Sequence, residues 1–149
     1  MQTCVIVAIA ASAPAAQSKN LKKMKRILFF SIPLLVSFNL FAKEVFIGPG
    51  PSAQERLQEA LILMEEGDTL IIKSGYYKFE DGLSLDVDDV TVKGEGIDST
   101  ILDFKNQQSG AQGLLVTSDR VTLSDFSILD AKGDALKVIG AKGINMINL

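Results

Sequence analysis

A chain of 149 residues holds one domain comfortably and two only with difficulty. Its 18 acidic side chains all lie at or after Glu44, where they face 10 basic ones, so residues 43–149 carry a net charge of −8. That balance repels nucleic acid phosphates and anionic membrane surfaces, and the lack of His removes Ser-His-Asp catalysis, His-ligated zinc and His acid–base chemistry.

The N-terminal stretch reads as targeting. Met24-Lys25-Arg26 is a short basic region, followed by ILFFSIPLLVSFNLFA, a mostly apolar run ending at Ala42. The run is shorter than the about 20 residues a bilayer span needs and suits the core of a signal peptide. Residues 24–42 are therefore expected to be a signal peptide cleaved after Ala42, the alternative being an uncleaved anchor. Residues 1–23 precede a complete signal and read as an upstream extension from a mis-assigned start. The mature chain is expected to be secreted or periplasmic and free of the membrane. The one cysteine, Cys4, falls in the extension, so the exported part must hold together without disulfides.

The spacing predicts a helix over 52–66. Ser52 and Glu55 have capping-box spacing, and Leu57, Ala60, Leu61 and Met64 fall on one face at i, i+3, i+4 and i+7. Gly67 suits the left-handed stop that helix ends favour. Glu55, Glu59, Glu65 and Glu66 make the polar side acidic, which points the apolar face to a protein core rather than a membrane.

From Thr69 onward the apolar period becomes 2. Runs such as TLIIKSGYYKF, LSLDV, VTVKG, TILDF, LLVTS and VTLSD are short strands separated by Gly, Asp, Asn or Lys, with no helix between them. A sandwich or barrel would share that description, but the chain also repeats itself. GLSLDVDDVTVKG (82–94) matches GLLVTSDRVTLSD (113–125), setting Leu83 over Leu114, Leu85 over Val116, Val90 over Val121 and Val92 over Leu123. STILD (99–103) matches FSILD (126–130), setting Ile101 over Ile128 and Asp103 over Asp130. ALKVIGAKGINMIN (135–148) sets Leu136 under Leu114, and Ile144 and Met146 under Val121 and Leu123. The insertions fall in turns and spare the strands, as stacked repeats tolerate.

The expected fold is all-β: a right-handed parallel β-helix over 69–149, about three turns long, with the 52–66 helix capping its first turn. Stacking at about 4.8 Å pairs the backbone of each layer with the next. Each fully buried aliphatic then contributes on the order of 1.5–3 kcal/mol.

Three motif elements carry a family resemblance: Gly67-Asp68-Thr69, Gly75-Tyr76-Tyr77, and Val90-Thr91-Val92-Lys93-Gly94-Glu95-Gly96. With them, Glu44 to Leu149 resembles the N-terminal start of exported right-handed parallel β-helix proteins of the pectin-lyase-like class. The resemblance implies polysaccharide as partner. It also implies that catalytic residues, where members have them, lie on later turns. Leu149 falls within a strand phrase, and the chain is read as a truncated product or gene-model fragment.

Three function classes follow. One is a polysaccharide-binding or surface scaffold module with no catalytic site in these residues and no cofactor. The second is the N-terminal portion of a polysaccharide lyase or epimerase. The third is a purely structural surface repeat protein. The one metal candidate is calcium between Asp103 and Asp130, which the repeat alignment places about 5 Å apart on adjacent turns. Both aspartates are equally suited to starting solvated turns. Asp86, Asp88 and Asp89 do not make an EF-hand, because Thr91 and Ile97 stand where that loop needs Gly and Glu. Gly94-Glu95-Gly96 lacks the Lys and the helix of a phosphate loop. Tyr76 and Tyr77 are expected on opposite faces, one inside and one outside. Lys93, Arg120 and Lys137 are available to acidic sugars or serve only as solubilising charge.

Overall fold

Parallel strands of three or four residues make up most of the regular structure in residues 42–149, the part of the chain that the computed structural model describes. The 1–23 extension, Cys4 and the signal segment apart from Ala42 lie outside the described residues. Strand β1 (Glu44–Ile47) leads into helix α1 (Ala53–Leu63). There follow β2 (Thr69–Ile72), β3 (Gly75–Lys78), β4 (Leu83–Leu85), β5 (Thr91–Lys93), β6 (Thr100–Asp103) and β7 (Leu114–Val116). The last four are β8 (Thr122–Ser124), β9 (Ser127–Leu129), β10 (Leu136–Val138) and β11 (Asn145–Ile147).

The chain visits three sheets in rotation. One has the order β1-β2-β5-β8-β11, the second β3-β6-β9 and the third β4-β7-β10. Every pairing is parallel. Three circuits are complete, with β1 as an extra strand ahead of them and β11 after. This order is consistent with a parallel β solenoid and excludes the antiparallel neighbours of a meander barrel.

Most of the repeat register is observed. Leu83, Leu114 and Leu136 stand in one column, Leu85, Val116 and Val138 in the next, and Val92, Leu123 and Met146 in a third. The second sheet corrects the sequence alignment by one residue. Leu102, not Ile101, stands opposite Ile128, and Asp103 faces Leu129 rather than Asp130. Phase explains the slip. Thr100 and Leu102 are the inward residues of β6, whereas Phe126 and Ile128 hold those levels in the next coil. The letters ILD therefore occur twice in opposite phase, and a shift of one residue exchanges the faces of a strand. β1 is a further addition: its four residues are too short for alternation to reveal, yet Ile47 is buried against the core.

One core fills the space between the sheets. Leu70, Ile72, Tyr77, Leu83, Leu85, Val92, Leu102, Leu114, Val116 and Leu123 belong to a single buried cluster that draws on all three. Phe79 and Phe104, each at the exit from the second sheet, stack with ring centroids 4.8 Å apart and planes 19° apart. Stacked aromatic pairs add about 0.5–1.5 kcal/mol beyond the area they bury. Tyr77 points inward and its hydroxyl donates to the Lys73 carbonyl at 2.7 Å, while Tyr76 is half-exposed, the split that alternation requires.

Helix α1 covers the first coil, burying Ala53, Leu57 and Leu61 against it, with Met64 immediately beyond. It ends at Leu63 rather than residue 66, because Met64 turns extended at ψ 149° while its N–H still reaches the Ala60 carbonyl. Gly67 does adopt a positive φ, 93°, three residues later. The capping box does not form. Ser52 sits at φ −110°, ψ 32° with no side-chain hydrogen bond to the first turn, and its carbonyl accepts from the Arg56 backbone and Nε instead. The polar face of α1 has another task. Gln58 accepts from the Ser84 N–H at 2.9 Å and donates to the Ser84 carbonyl at 3.1 Å, and Gln54 accepts from the Glu80 N–H at 2.7 Å. One primary amide thus imitates a neighbouring strand along the edge of β4. Among the described residues no helix is long and apolar enough to cross a membrane.

One inward hydroxyl, unlike that of Thr100, finds no partner. Ser118 lies two residues beyond Val116, as Val87 lies two beyond Leu85, and its hydroxyl is buried with no hydrogen-bond partner. A buried unpaired polar group costs about 1–3 kcal/mol. Ser118→Ala is therefore expected to stabilise the fold by about 1 kcal/mol in denaturant unfolding. A clear loss of stability would show that the hydroxyl is satisfied in solution.

Candidate functional site on the outer face of the five-stranded sheet

The largest sheet presents two outward columns. One runs Glu44, Thr69, Thr91, Thr122, Asn145, and the other Phe46, Ile71, Lys93, Ser124, Ile147. Beside the second column, at the turns that lead to the next sheet, lies an open groove of about 500 Å³. Phe46, Ile71, Lys73, Lys93, Glu95 and Asp125 line it. Phe46 is half-exposed, and the Lys73 ammonium rests 4.9 Å from its ring centroid.

The turns hold this wall in place through one carboxylate. Glu95 accepts the Ser74 backbone N–H and the Ser74 hydroxyl, both at 2.7 Å, and the Lys73 ammonium at 2.9 Å. The side chain thereby ties two successive coils, and the Glu95 N–H donates to the Thr100 hydroxyl of its own coil at 2.9 Å. The Ser74 hydroxyl and N–H, then Lys73, pull the Glu95 carboxyl down from 4.5 to about 2. The flanking glycine is dictated by packing: a Cβ on Gly94 would strike the Asp125 carbonyl and the Phe126 side chain of the next coil. Asp125 takes a left-handed φ of 60° and accepts from Asn148 at 2.9 Å, which with the Ser124 hydroxyl lowers its pKa. Gly94-Glu95-Gly96 is thus an intercoil clamp, a role that its sequence pattern alone does not reveal.

The groove offers an aromatic face, two cations and two carboxylates. Those groups stack on and hydrogen-bond to hydroxylated rings. They do not include a nucleophile paired with a base.

The other sequence candidates are dispersed. Lys93 is exposed in the groove wall. Arg120 pairs with Asp88 at 3.5 Å in a turn between the third and first sheets, and Lys137 pairs with Asp134 at 3.5 Å on β10. Exposed pairs of that kind contribute about 0–1 kcal/mol. Asp88 accepts the Asp119 N–H and Asp119 accepts the Lys142 N–H, each at 2.7 Å, so these aspartates cap the turn below them. Asp86 likewise accepts the Thr117 hydroxyl at 2.8 Å.

Asp103 is buried beneath Tyr76, on the outer face of the second sheet. Its carboxylate accepts the Tyr76 hydroxyl at 2.6 Å and the Lys105 N–H at 2.9 Å. Burial pushes the Asp103 carboxyl up, but those two donors hold it below the usual range. The Asp103 hydrogen bond raises the Tyr76 phenol, and the charge of Asp130 adds to that shift. Asp130 itself is exposed at a left-handed φ of 54°. The two aspartates thus share an influence on one phenol without sharing the ladder position that the calcium alignment assumed. Among the described residues no three His, Cys, Asp or Glu side chains gather closely enough to hold a metal ion.

Compared with known proteins, the chain matches no family model, no curated protein and no solved structure.

Because the folded-state pKa of Glu95 is depressed, the clamp contributes fully above pH 4.5 and is lost as the pH falls to about 2. The melting temperature of the native chain is expected to drop more steeply across that window than that of Glu95→Gln, the two curves converging near pH 2. Parallel curves would show that the clamp adds nothing to stability.

Proposed function

We propose that this chain is an exported right-handed parallel β-helix of the pectin-lyase-like class that binds polysaccharide and acts as a surface scaffold. The observation that supports this reading is the groove on the outer face of the five-stranded sheet. Phe46 supplies an apolar face for a sugar ring there, Lys93 suits carboxylated sugars, and Asp125 accepts from hydroxyls, while Lys73 and Glu95 are held to each other and to Ser74 and shape the wall. Catalysis is no part of the proposal for residues 42–149. No cofactor is needed for binding. Calcium at Asp103 and Asp130 is not part of it, since both Asp103 oxygens already accept hydrogen bonds.

The processed chain, run through gels containing pectin, alginate or a neutral glucan, tests the reading. Retardation is expected, strongest with the acidic polymers. Phe46→Ala and Lys93→Ala should each weaken it roughly fivefold, the equivalent of about 1 kcal/mol for an aromatic or a cationic contact. Ile62→Ala, on the outer side of α1, should leave it unchanged. No retardation by any polymer, or equal retardation of all variants, defeats the proposal. Release of unsaturated uronides from pectin or alginate would favour the alternative, the N-terminal portion of a polysaccharide lyase.

A further inference from the structure

Six aromatic side chains lie among the described residues, and four of them, Tyr77, Phe79, Phe104 and Phe126, are sealed in the core. The other two, Phe46 and Tyr76, are each 51% exposed. Both flank one corner, where the chain turns from the first sheet into the second. Phe46 stands opposite Ile71 in the first sheet, and Tyr76 follows Ile71 by five residues, at the start of the second. The corner is fixed from two sides. Glu95 holds Lys73 and Ser74, and the turn after β1 packs so closely on β3 that a Cβ on Gly75 would lie 2.7 Å from the Pro49 ring. Five residues of chain span at most about 18 Å, and one strand spacing adds about 4.8 Å. That separation exceeds one sugar ring and lies within reach of a short chain of rings.

Tyr76 is not a loose surface ring. Its hydroxyl donates at 2.6 Å to Asp103, which lies on the neighbouring strand two residues beyond the Tyr76 ladder partner, Ile101. A tyrosine tethered to that diagonal neighbour lies along the sheet instead of standing off it, with a ring face open to solvent. Asp103 is fixed in turn by the Lys105 N–H, and it is only 5% exposed although it occupies an outward position. Burying a carboxylate is costly unless hydrogen bonds compensate. Here the two donors do so, and the result is an aromatic face oriented before any ligand arrives, which lowers the ordering cost of binding. Two exposed cations stand beside it. Lys78 is the ladder partner of Asp103 and Lys105 follows Asp103 by two residues, and among the described residues neither forms an ion pair.

We propose that Tyr76 is a second stacking subsite for an acidic polysaccharide that crosses this corner, one ring resting on Phe46 and a later ring on Tyr76. Carboxylates of the polymer meet Lys93 on the first sheet and Lys78 and Lys105 on the second. This assignment rests on the polysaccharide reading of the Phe46 groove and adds to it a requirement for chain length, because a single ring cannot reach both aromatics. Two weak contacts on one polymer reinforce each other, since the first holds the second at high effective concentration. Affinity therefore rises with oligomer length until the corner is spanned and levels off beyond it.

The processed chain carries its own probe. It has two tyrosines and no tryptophan, and Tyr77 is buried, so the tyrosine emission that acrylamide quenches reports Tyr76. Pectin and long oligogalacturonates should shield that emission, whereas galacturonic acid should not. In pectin gels Tyr76→Ala should weaken retardation roughly fivefold, as Phe46→Ala does, and Tyr76→Phe, which keeps the ring, should retain most of it. If pectin retards the native chain but leaves the quenching unchanged, the subsite is refuted and the Phe46 groove stands alone. That measurement needs no variant, so a folding defect in Tyr76→Ala cannot mask the answer. Retardation lost in Phe46→Ala but intact in Tyr76→Ala refutes the subsite in the same way. Equal shielding by the monomer and the long oligomers overturns the chain-length requirement. No retardation of the native chain by any polymer overturns the groove and the subsite together.

Discussion

No coil of this protein can exist alone. Each circuit is three strands of three or four residues, too short to pair with one another, and every strand finds its hydrogen-bond partner only in the coil before or after. The apolar interior obeys the same rule: Leu114 is buried because Leu83 lies on one side and Leu136 on the other. Backbone pairing and side-chain stacking thus share a single register, and an error of one residue in either undoes both. The irregular features of the chain are adaptations to that constraint.

The turns show how it is met. Between coils the side chains link polar atoms that strands cannot reach. Glu95 gathers Ser74 and Lys73 from the preceding coil, and Gln107 donates to the Gln112 carbonyl while accepting the Lys132 N–H of the next. The stacked turns also repeat a backbone conformation. Asp89, Arg120 and Gly143 occupy equivalent places in successive coils and all have positive φ, at 58°, 55° and 71°. Two of the three are not glycine, so the register, rather than the residue type, holds the left-handed bend. The candidate binding wall is a by-product of the same devices, since Lys73, Glu95 and Asp125 reach the groove from turns fixed by these links.

Sequence patterning revealed the stack where inward residues repeat with like parity, as Leu83, Leu114 and Leu136 do. It misled where identical letters change phase. ILD occurs in two coils, but Phe126 takes the inward place that Thr100 holds in the other, so Ile101 faces out and Ile128 faces in. With that slip the alignment of Asp103 on Asp130 dissolved. The helix face was readable from Leu57 and Leu61, yet its polar side was not, because nothing local marks Gln58 as a partner for Ser84, 26 residues away. The groove was illegible for the same reason. Phe46, Lys73, Lys93 and Asp125 are distant along the chain and meet only once the coils are in register, and of these the sequence pattern marks only Lys93.

The arrangement of covalent and non-covalent links has a mechanical side. The polypeptide passes from sheet to sheet within each level, whereas the strand-to-strand bonds point from one level to the next, so tension across the levels would be borne by hydrogen bonds in series rather than by peptide links. Three short ladders share the load at each level, and rupture of one level leaves the others whole. Glu95 and Gln107, reaching from one level to another through side chains, act as rivets at the corners where peeling would begin.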